Sequence, residues 1–217
     1  MTDAATPHHR LLVLGATGPT GRQVVLQALE AGHTVTALAR RPDRLALDHP
    51  RLRAVAADLA ADEEAVSRVL PGHDAVISLL GRGQSLRSER LMARATPGIV
   101  SAMIRHGVRR LVYLSAFGVG RIPPEAGWIP RLMFRFLLRD IYADKAAGER
   151  IVAESGLDWT ILAPVRLIDG PRTGGYRLGE RLQVSGAVPI ARADVAAAAL
   201  RCVDDRATIR TRCVVAP

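Results

Sequence analysis

The stretch Arg10-Leu-Leu-Val-Leu-Gly-Ala-Thr-Gly-Pro-Thr-Gly21 is an apolar run that passes directly into a glycine-rich turn. Behind it, apolar residues recur at the spacing of one helical face: Val24, Val25, Ala28 and Leu29. This pattern predicts a buried strand, a tight turn and a helix that extends to Gly32. Strands and helices alternate in the same way along the rest of the chain, so this first strand, turn and helix indicate the fold.

Apolar runs and helical patterns alternate after the first helix. Further strands are predicted at 33–40, 52–57, 74–80, 110–115, 158–163 and 208–215, and helices at 62–70, 86–106, 143–155 and 194–203. Such alternation at short spacing implies right-handed crossovers between parallel strands. We therefore expect an α/β fold with a doubly wound parallel sheet, and we expect Pro97-Gly98 to kink or interrupt the long helix.

The composition fits one globular domain. The chain has 217 residues, of which 48% are hydrophobic and 24% charged, and no repeat or long linker divides it. We expect a single domain over 1–217, with a variable lid at about 118–140. No run reaches the roughly 18 apolar residues of a membrane span, and the first residues lack the pattern of a secretory signal, which predicts a cytoplasmic protein.

Charge and cysteine content exclude several functions. The formal net charge is +9, but the basic residues are scattered and aromatic residues make up only 4% of the chain, which disfavours nucleic-acid binding. Attraction of anionic small molecules is the better explanation of this positive net charge. Cys202 and Cys213 are the only cysteines, so we expect two reduced thiols and no metal site.

The glycine turn predicts a dinucleotide site. Gly15 would allow the sharp turn, Gly18 the close approach of a pyrophosphate to the backbone, and Gly21 the packing of the helix on the sheet. The intervening Thr17, Pro19 and Thr20 complete the expected anion cradle, because amide groups at a helix start point toward the anion. The alternative is a glycine turn that binds nothing.

The end of the second strand indicates which nucleotide is bound. A carboxylate there would hold the ribose of NAD, whereas this chain has Arg40 and Arg41, whose guanidinium groups match phosphate oxygens. The sequence therefore predicts NADP(H). The alternative is that both arginines are solvated side chains, one of them neutralised by Asp43.

Further cofactor contacts are expected after other strands, because ligands of such sheets lie outside the carboxyl ends of the strands. The expected residues are Asp58 and Leu59 near adenine, Leu79, Leu80 and Gly81 near ribose, and Ser115 and Ala116 near nicotinamide, with Pro164 and Val165 as further cofactor contacts. Asp58 has an alternative role as a turn or capping residue. The Ser115 hydroxyl is alternatively satisfied by the backbone.

Several segments together resemble a known family: Gly15-Ala-Thr-Gly-Pro-Thr-Gly21, Asp74-Ala-Val-Ile-Ser-Leu-Leu-Gly81, Ser115-Ala-Phe117, Glu154-Ser-Gly-Leu157 and Thr173-Gly-Gly-Tyr176. In this order they are similar to atypical short-chain dehydrogenase/reductases, most of all the biliverdin-IXβ reductase/flavin reductase type, with NmrA-like proteins nearby. The resemblance implies an NADPH-binding Rossmann domain, a monomer or small homo-oligomer, that reduces flavins or open tetrapyrroles. It assigns catalytic roles to Ser115 and Lys145, of which Lys145 would also bind the cofactor ribose or an anionic substrate.

Two departures from that family concern proton transfer. Ordinary short-chain dehydrogenases place a tyrosine and a lysine four residues apart, whereas Tyr142 and Lys145 are three apart here. Tyr142 is therefore the weaker catalytic candidate. The flavin-reductase type also has a histidine after its sixth strand, where this chain reads Pro164-Val165-Arg166.

The chemistry that remains suits a planar acceptor. A flavin, quinone or tetrapyrrole takes hydride into a delocalised ring and needs no dedicated proton donor. Residues 118–140 would form the lid over this acceptor, with apolar residues facing a flat ring and arginines at the rim. Core packing or contact with an anionic membrane surface are alternatives for that segment. The competing function is a non-catalytic NADP(H) sensor of the NmrA-like type.

Overall fold

The computed structural model describes residues 8–81, 90–120, 139–182, 184 and 188–217. The strands are β1 (Arg10–Leu14), β2 (Thr34–Ala39), β3 (Leu52–Ala56), β4 (Ala75–Ser78), β5 (Arg110–Leu114), β6 (Asp158–Pro164), β7 (Leu167–Ile168), β8 (Arg177–Gly179), β9 (Ile190–Ala191) and β10 (Thr211–Ala216). The α-helices are α1 (Pro19–Glu30), α2 (Ala65–Val69), α3 (Leu91–Arg105), α4 (Arg139–Glu154) and α5 (Arg192–Asp204), with short 3-10 helices at Pro42–Leu45 and Arg206–Thr208.

The main sheet confirms the predicted doubly wound architecture. Within the described residues it has eight strands in the order β3-β2-β1-β4-β5-β6-β10-β8. Neighbouring strands are parallel except β8, which pairs antiparallel with β10 at one edge. Strands β7 and β9 form a separate parallel pair. The strand order reverses between β1 and β4, and such a reversal opens a crevice at the carboxyl ends of the strands.

Alternating side chains of the strands build one core on each face of the sheet. Leu11 and Val13 of β1 belong to the core that α1 and α5 cover, whereas Leu12 and Leu14 belong to the core beneath α2, α3 and α4. All four leucine and valine side chains are fully buried. A strand that is apolar on both faces is typical of a central parallel sheet, which explains the unbroken apolar run at 10–14.

Helix α4 is attached to α3 and β5 by two close contacts. The buried Asp144 carboxylate accepts hydrogen bonds from the first amides of α3, at 3.1 Å from Met92 N and 2.9 Å from Ala93 N. One turn later Gly148 lies against the Tyr113 hydroxyl, where a Cβ would overlap it. These contacts fix the position of α4 beside the carboxyl end of β5.

The structure corrects several predicted boundaries. Helix α2 begins only at Ala65, because the residues after Asp58 form hydrogen-bonded turns. Helix α3 is continuous through Pro97, so the expected interruption is wrong, while the expected kink stays a prediction. The last strand begins at Thr211, because a 3-10 turn precedes it. Among the described helices, none has both the length and the apolar character needed to cross a membrane.

Candidate functional site

The glycine turn brings the end of β1 against the end of β4. Gly15 has a φ of +76°, and a Cβ there would stand 2.8 Å from the Leu79 carbonyl oxygen. Its amide donates to the Leu38 carbonyl at 3.1 Å, which ties the turn to β2 as well. A side chain at this position would be both strained and obstructed. The three strands around the reversal of strand order therefore meet at Gly15.

Helix α1 begins directly on this turn. A Cβ on Gly21 would overlap the Gly15 carbonyl and lie 2.9 Å from Ala16 Cα, so the helix can approach only because Gly21 has no side chain. Gly18 is the N-cap and supplies no side-chain cap, and Pro19 occupies the first turn. The half-buried Thr17 and the buried Thr20 flank this N-terminus. Amide groups of the first turn consequently remain for an anion.

Two exposed arginines follow β2. Within the described residues Arg40 and Arg41 form no ion pair, and both side chains are exposed. Asp43 lies in the 3-10 helix that follows and makes no salt bridge to either of them. Asp43 therefore does not neutralise either arginine, as the alternative in the sequence analysis had it. Both guanidinium groups are available for an anion.

The residues after β3 serve the fold. The Asp58 side chain accepts a hydrogen bond from the amide of Ala60 at 3.0 Å, and its carbonyl accepts from Asp62 at 2.9 Å. This is the turn role that was considered as the alternative for Asp58. Leu59 is 8% exposed and belongs to the same core cluster as Leu14. Contact of either residue with a nucleotide stays a prediction.

The end of β4 presents backbone rather than side chains. Leu79 is buried, and its amide donates to the Leu14 carbonyl at 2.9 Å. Leu80 is half-buried and Gly81 is exposed, and among the described residues no atom lies within 4 Å of where a Gly81 Cβ would be. This segment borders the glycine turn through the contact between Gly15 and the Leu79 carbonyl. It leaves room for a ligand to approach the main chain.

The Ser115 side chain is a buried hydroxyl with no hydrogen-bond partner among the described residues. Its amide donates to the Leu162 carbonyl at 2.7 Å, but its Oγ has no hydrogen-bond partner within the described residues and the residue is only 4% exposed. The expected alternative, a hydroxyl satisfied by the backbone, is therefore not observed. Because unpaired buried hydroxyls are costly, this atom fits a site whose partner belongs to a ligand.

The chain after Ser115 is held by the end of β6. The amide of Phe117 donates to the Pro164 carbonyl at 2.9 Å, and the amide of Val165 donates to the Val215 carbonyl at 3.1 Å. Val165 is buried, and Ala116 is half-buried. The segments that follow β5 and β6, where cofactor contacts were predicted, thus lie next to each other at the carboxyl ends of these two neighbouring strands.

Helix α4 contributes the two remaining candidates. The Tyr142 hydroxyl donates to the Phe117 carbonyl at 3.3 Å, and burial raises the pKa of Tyr142. Burial lowers the pKa of Lys145, while the nearby carboxylates of Glu149 and Asp144 act in the opposite direction. Within the described part of the chain, Lys145 forms no hydrogen bond or ion pair. The tyrosine is thus held against the β5 loop, and the ammonium group is available.

Two residues that the sequence analysis did not single out, Arg212 and Glu149, connect β10 to α4 and to the turn after β5. Arg212 of β10 pairs with Glu149 of α4 at 3.0 Å, and its guanidinium also donates to the carbonyls of Ala116 at 3.1 Å and Val119 at 3.4 Å. No local pattern marks Arg212, because its partners lie 63 to 96 residues away. Only the fold brings them together.

The loop that carries Thr173-Gly-Gly-Tyr176 is fixed by a buried carboxylate. Asp194 accepts hydrogen bonds from the amides of Thr173 at 2.8 Å and Gly174 at 2.9 Å, and from the Thr173 hydroxyl at 2.7 Å. This motif therefore has a structural explanation. Most of the predicted lid, residues 121–138, lies outside the described residues.

Comparison with known proteins identifies relatives across most of the chain. A family described as NAD(P)H-binding matches residues 15–206. A Bacillus subtilis protein named uncharacterized sugar epimerase YhfK is 26% identical over 204 residues, which cover 92% of this chain and 90% of YhfK. A (4-alkanoyl-5-oxo-2,5-dihydrofuran-3-yl)methyl phosphate reductase of Streptomyces griseus is 32% identical over 154 residues, which cover 71% of this chain and 46% of the reductase.

A solved structure shares the fold. A short-chain dehydrogenase/reductase of Veillonella parvula in complex with NADP superposes with a TM-score of 0.78 at 21% identity, covering 97% of this chain and 95% of that one. The chain spans less than half the length of some of the curated relatives that it matches, at 46% for two of them.

Proposed function

Because the chain belongs to the NAD(P)H-binding family, we propose that it is an NADPH-dependent reductase that transfers hydride to a planar conjugated acceptor such as a flavin, a quinone or a tetrapyrrole. The NAD(P)H-binding family match supports the resemblance to atypical short-chain dehydrogenase/reductases, whose members bind the same nucleotides. The carrying observation is the glycine turn, which opens onto an uncapped helix start where the strand order reverses.

Each part of NADPH has residues that fit it. The amides between Gly15 and Gly21 would bind the diphosphate, and the unpaired Arg40 and Arg41 would bind the phosphate that distinguishes NADPH from NADH. Ser115 would donate its unpartnered hydroxyl hydrogen to the nicotinamide carboxamide or to the acceptor. When bound, NADPH supplies the hydride.

The residues around Ser115 favour an acceptor that needs no strong acid. The hydroxyl of Tyr142 is engaged with the Phe117 carbonyl, and its raised pKa makes it a weaker proton donor. A carbonyl that becomes an alkoxide requires such a donor, whereas an extended conjugated ring delocalises the added charge. The name of the Streptomyces relative gives a dihydrofuran with a phosphate ester as its substrate. An anionic group of this kind on the acceptor would suit the available Lys145 ammonium.

The nucleotide assignment is tested by isothermal titration calorimetry with NADPH and NADH. Replacing both Arg40→Ala and Arg41→Ala should weaken NADPH binding roughly tenfold to a hundredfold, because charge-assisted hydrogen bonds are lost. NADH binding should change by less than about twofold, because NADH has no such phosphate. A matched control replaces the exposed Arg201 and Arg206 at the opposite end of the fold. Equal losses for both nucleotides would contradict the phosphate role.

The reductase assignment is tested by NADPH consumption with flavin, quinone and tetrapyrrole acceptors. Turnover that depends on an acceptor and slows in Lys145→Met supports the proposal. If NADP⁺ and NADPH bind equally and no acceptor is reduced, the chain is instead a nucleotide sensor. If neither nucleotide produces heat on titration, both functions are excluded.

A further inference from the structure

We propose that Arg212 and Glu149 form a positioning pair that joins the turn after β5 to helix α4 and thereby sets where Ser115 and Lys145 stand toward their ligands. The assignment of those ligands rests on the proposed function. The contact that Arg212 and Glu149 make between the β5 turn and α4 does not depend on that assignment, and its effect on the turn can be measured without a ligand.

Arg212 supports the turn that follows β5. Ala116 to Val119 form this turn, in which the Val119 amide donates to the Ala116 carbonyl at 3.3 Å. One guanidinium nitrogen of Arg212 donates to the carbonyls of both residues, at 3.1 Å and 3.4 Å. Arg212 stands on β10, so its side chain extends past β6 to reach this turn. Ser115 immediately precedes the turn, and its direction therefore depends on this support.

Glu149 connects the same arginine to α4. Its carboxylate lies 3.0 Å from Arg212 Nε and 3.4 Å from the nitrogen that holds the turn. The Glu149 side chain is 14% exposed and that of Arg212 is 32% exposed. A partly buried, two-pronged pair of this kind is geometrically more specific than a solvated surface pair. It fixes the distance between the β5 turn and the middle of α4.

The pair also determines whether the Glu149 carboxylate is free to form an ion pair with the Lys145 ammonium group. Glu149 lies four residues after Lys145, so both side chains belong to neighbouring positions on one helical face. Because Arg212 engages both carboxylate oxygens, Glu149 makes no ion pair with Lys145 in the described structure. Without Arg212, the freed carboxylate would be able to bind the ammonium and draw it away from a ligand.

The test compares Arg212→Gln, Glu149→Gln and the double variant with the unaltered chain, well below their unfolding temperatures. In Arg212→Gln we expect kcat to fall about tenfold and KM for the acceptor to rise, since small displacements of reacting groups are costly. We expect the double variant to recover part of the kcat lost in Arg212→Gln, because it no longer has a carboxylate that captures Lys145. A purely structural pair would give no such recovery of kcat in folded protein.

A second measurement does not require turnover. Amide hydrogen exchange of residues 116–120 should accelerate about tenfold in Arg212→Gln without nucleotide, because the turn loses its support. The matched control is Arg109→Gln, which removes a guanidinium that likewise binds a carboxylate, Asp158, at 3.2 Å and a carbonyl, that of Gly156, at 3.0 Å. Its exchange at 116–120 should match the unaltered chain.

The outcomes separate the two proposals. One result is that no acceptor is reduced, but amide exchange at 116–120 accelerates in Arg212→Gln and not in Arg109→Gln. The reductase assignment then fails, while the conclusion that Arg212 supports the turn is retained. Unchanged exchange in Arg212→Gln overturns the positioning pair whatever the activity. Losses of kcat that simply add in the double variant overturn the coupling between Glu149 and Lys145.

Discussion

Replacing Ser115 with alanine should change folding stability and nucleotide affinity in opposite directions. The hydroxyl is buried at the end of β5 and has no hydrogen-bond partner in the described residues. Removing it takes away an unsatisfied polar group and keeps the Cβ that packs there. If NADPH supplies the partner, the same change removes a hydrogen bond from the complex.

The size of both effects follows from the burial. An unsatisfied buried hydroxyl costs about 1–3 kcal/mol, and the small void left by one oxygen offsets part of the gain. We expect Ser115→Ala to raise the free energy of unfolding by about 1 kcal/mol, or the unfolding temperature by roughly 3 °C for a chain of this size. The lost hydrogen bond should weaken NADPH binding by about 1 kcal/mol, roughly fivefold.

Thermal unfolding followed by circular dichroism, with and without NADPH, measures both effects. Ser155→Ala is the matched control, because the Ser155 hydroxyl donates to the Val152 carbonyl at 2.6 Å and accepts from the Leu157 amide at 3.2 Å. That variant should lose stability. If Ser115→Ala loses as much stability as Ser155→Ala without nucleotide, the Ser115 hydroxyl has a partner in the fold and the reasoning is refuted.

Two further predictions concern stability. Asp144→Ala should lower the free energy of unfolding by about 3 kcal/mol, measured by urea titration, because two amides at the start of α3 lose their charged acceptor; a loss below about 1 kcal/mol would contradict this role. Burial and the neighbouring His9 lower the pKa of His33, so the unfolded chain binds the proton more tightly. Stability should therefore be full above about pH 6.5 and fall below it, and His33→Asn should flatten part of this dependence. His73, whose pKa is also lowered by burial, contributes to the same loss of stability at low pH. An unaltered pH dependence in the variant would rule out His33 as its source.

The sheet was predictable because its signals are local. Each central strand is a short apolar run between turns, as at 10–14, and a parallel strand buried on both faces has this appearance in any sequence. The glycine turn was equally legible, since Gly15 and Gly21 each stand where a Cβ would meet backbone. In both cases the physical requirement acts on the residue itself or on its immediate neighbours in the chain.

The polar connections were not predictable, because their partners are distant in sequence. Asp144 accepts hydrogen bonds from the start of α3 across 51 and 52 residues, and nothing in its own helical segment indicates that contact. Asp194 similarly holds a loop about 20 residues earlier in the chain. The short strands β7 to β9, of two or three residues each, were missed because so few residues show no periodicity. Such features depend on which elements become neighbours only after folding.

The distribution of unsatisfied atoms is the strongest physical argument for the location of the site. Many buried polar side chains of the described residues are paired: the Thr160 hydroxyl, for example, donates to the Thr208 carbonyl at 2.7 Å. Across the described residues, three buried side-chain atoms have no partner, namely Gln27 Oε1, Ser78 Oγ and Ser115 Oγ. The amide nitrogen of Gln27 is satisfied by the Ala193 carbonyl at 2.9 Å, so that side chain is only half unpaired. The two wholly unpaired hydroxyls stand at the carboxyl ends of the neighbouring strands β4 and β5. Two unpaired hydroxyls at the carboxyl ends of neighbouring strands are what a ligand site at that place in the sheet would require.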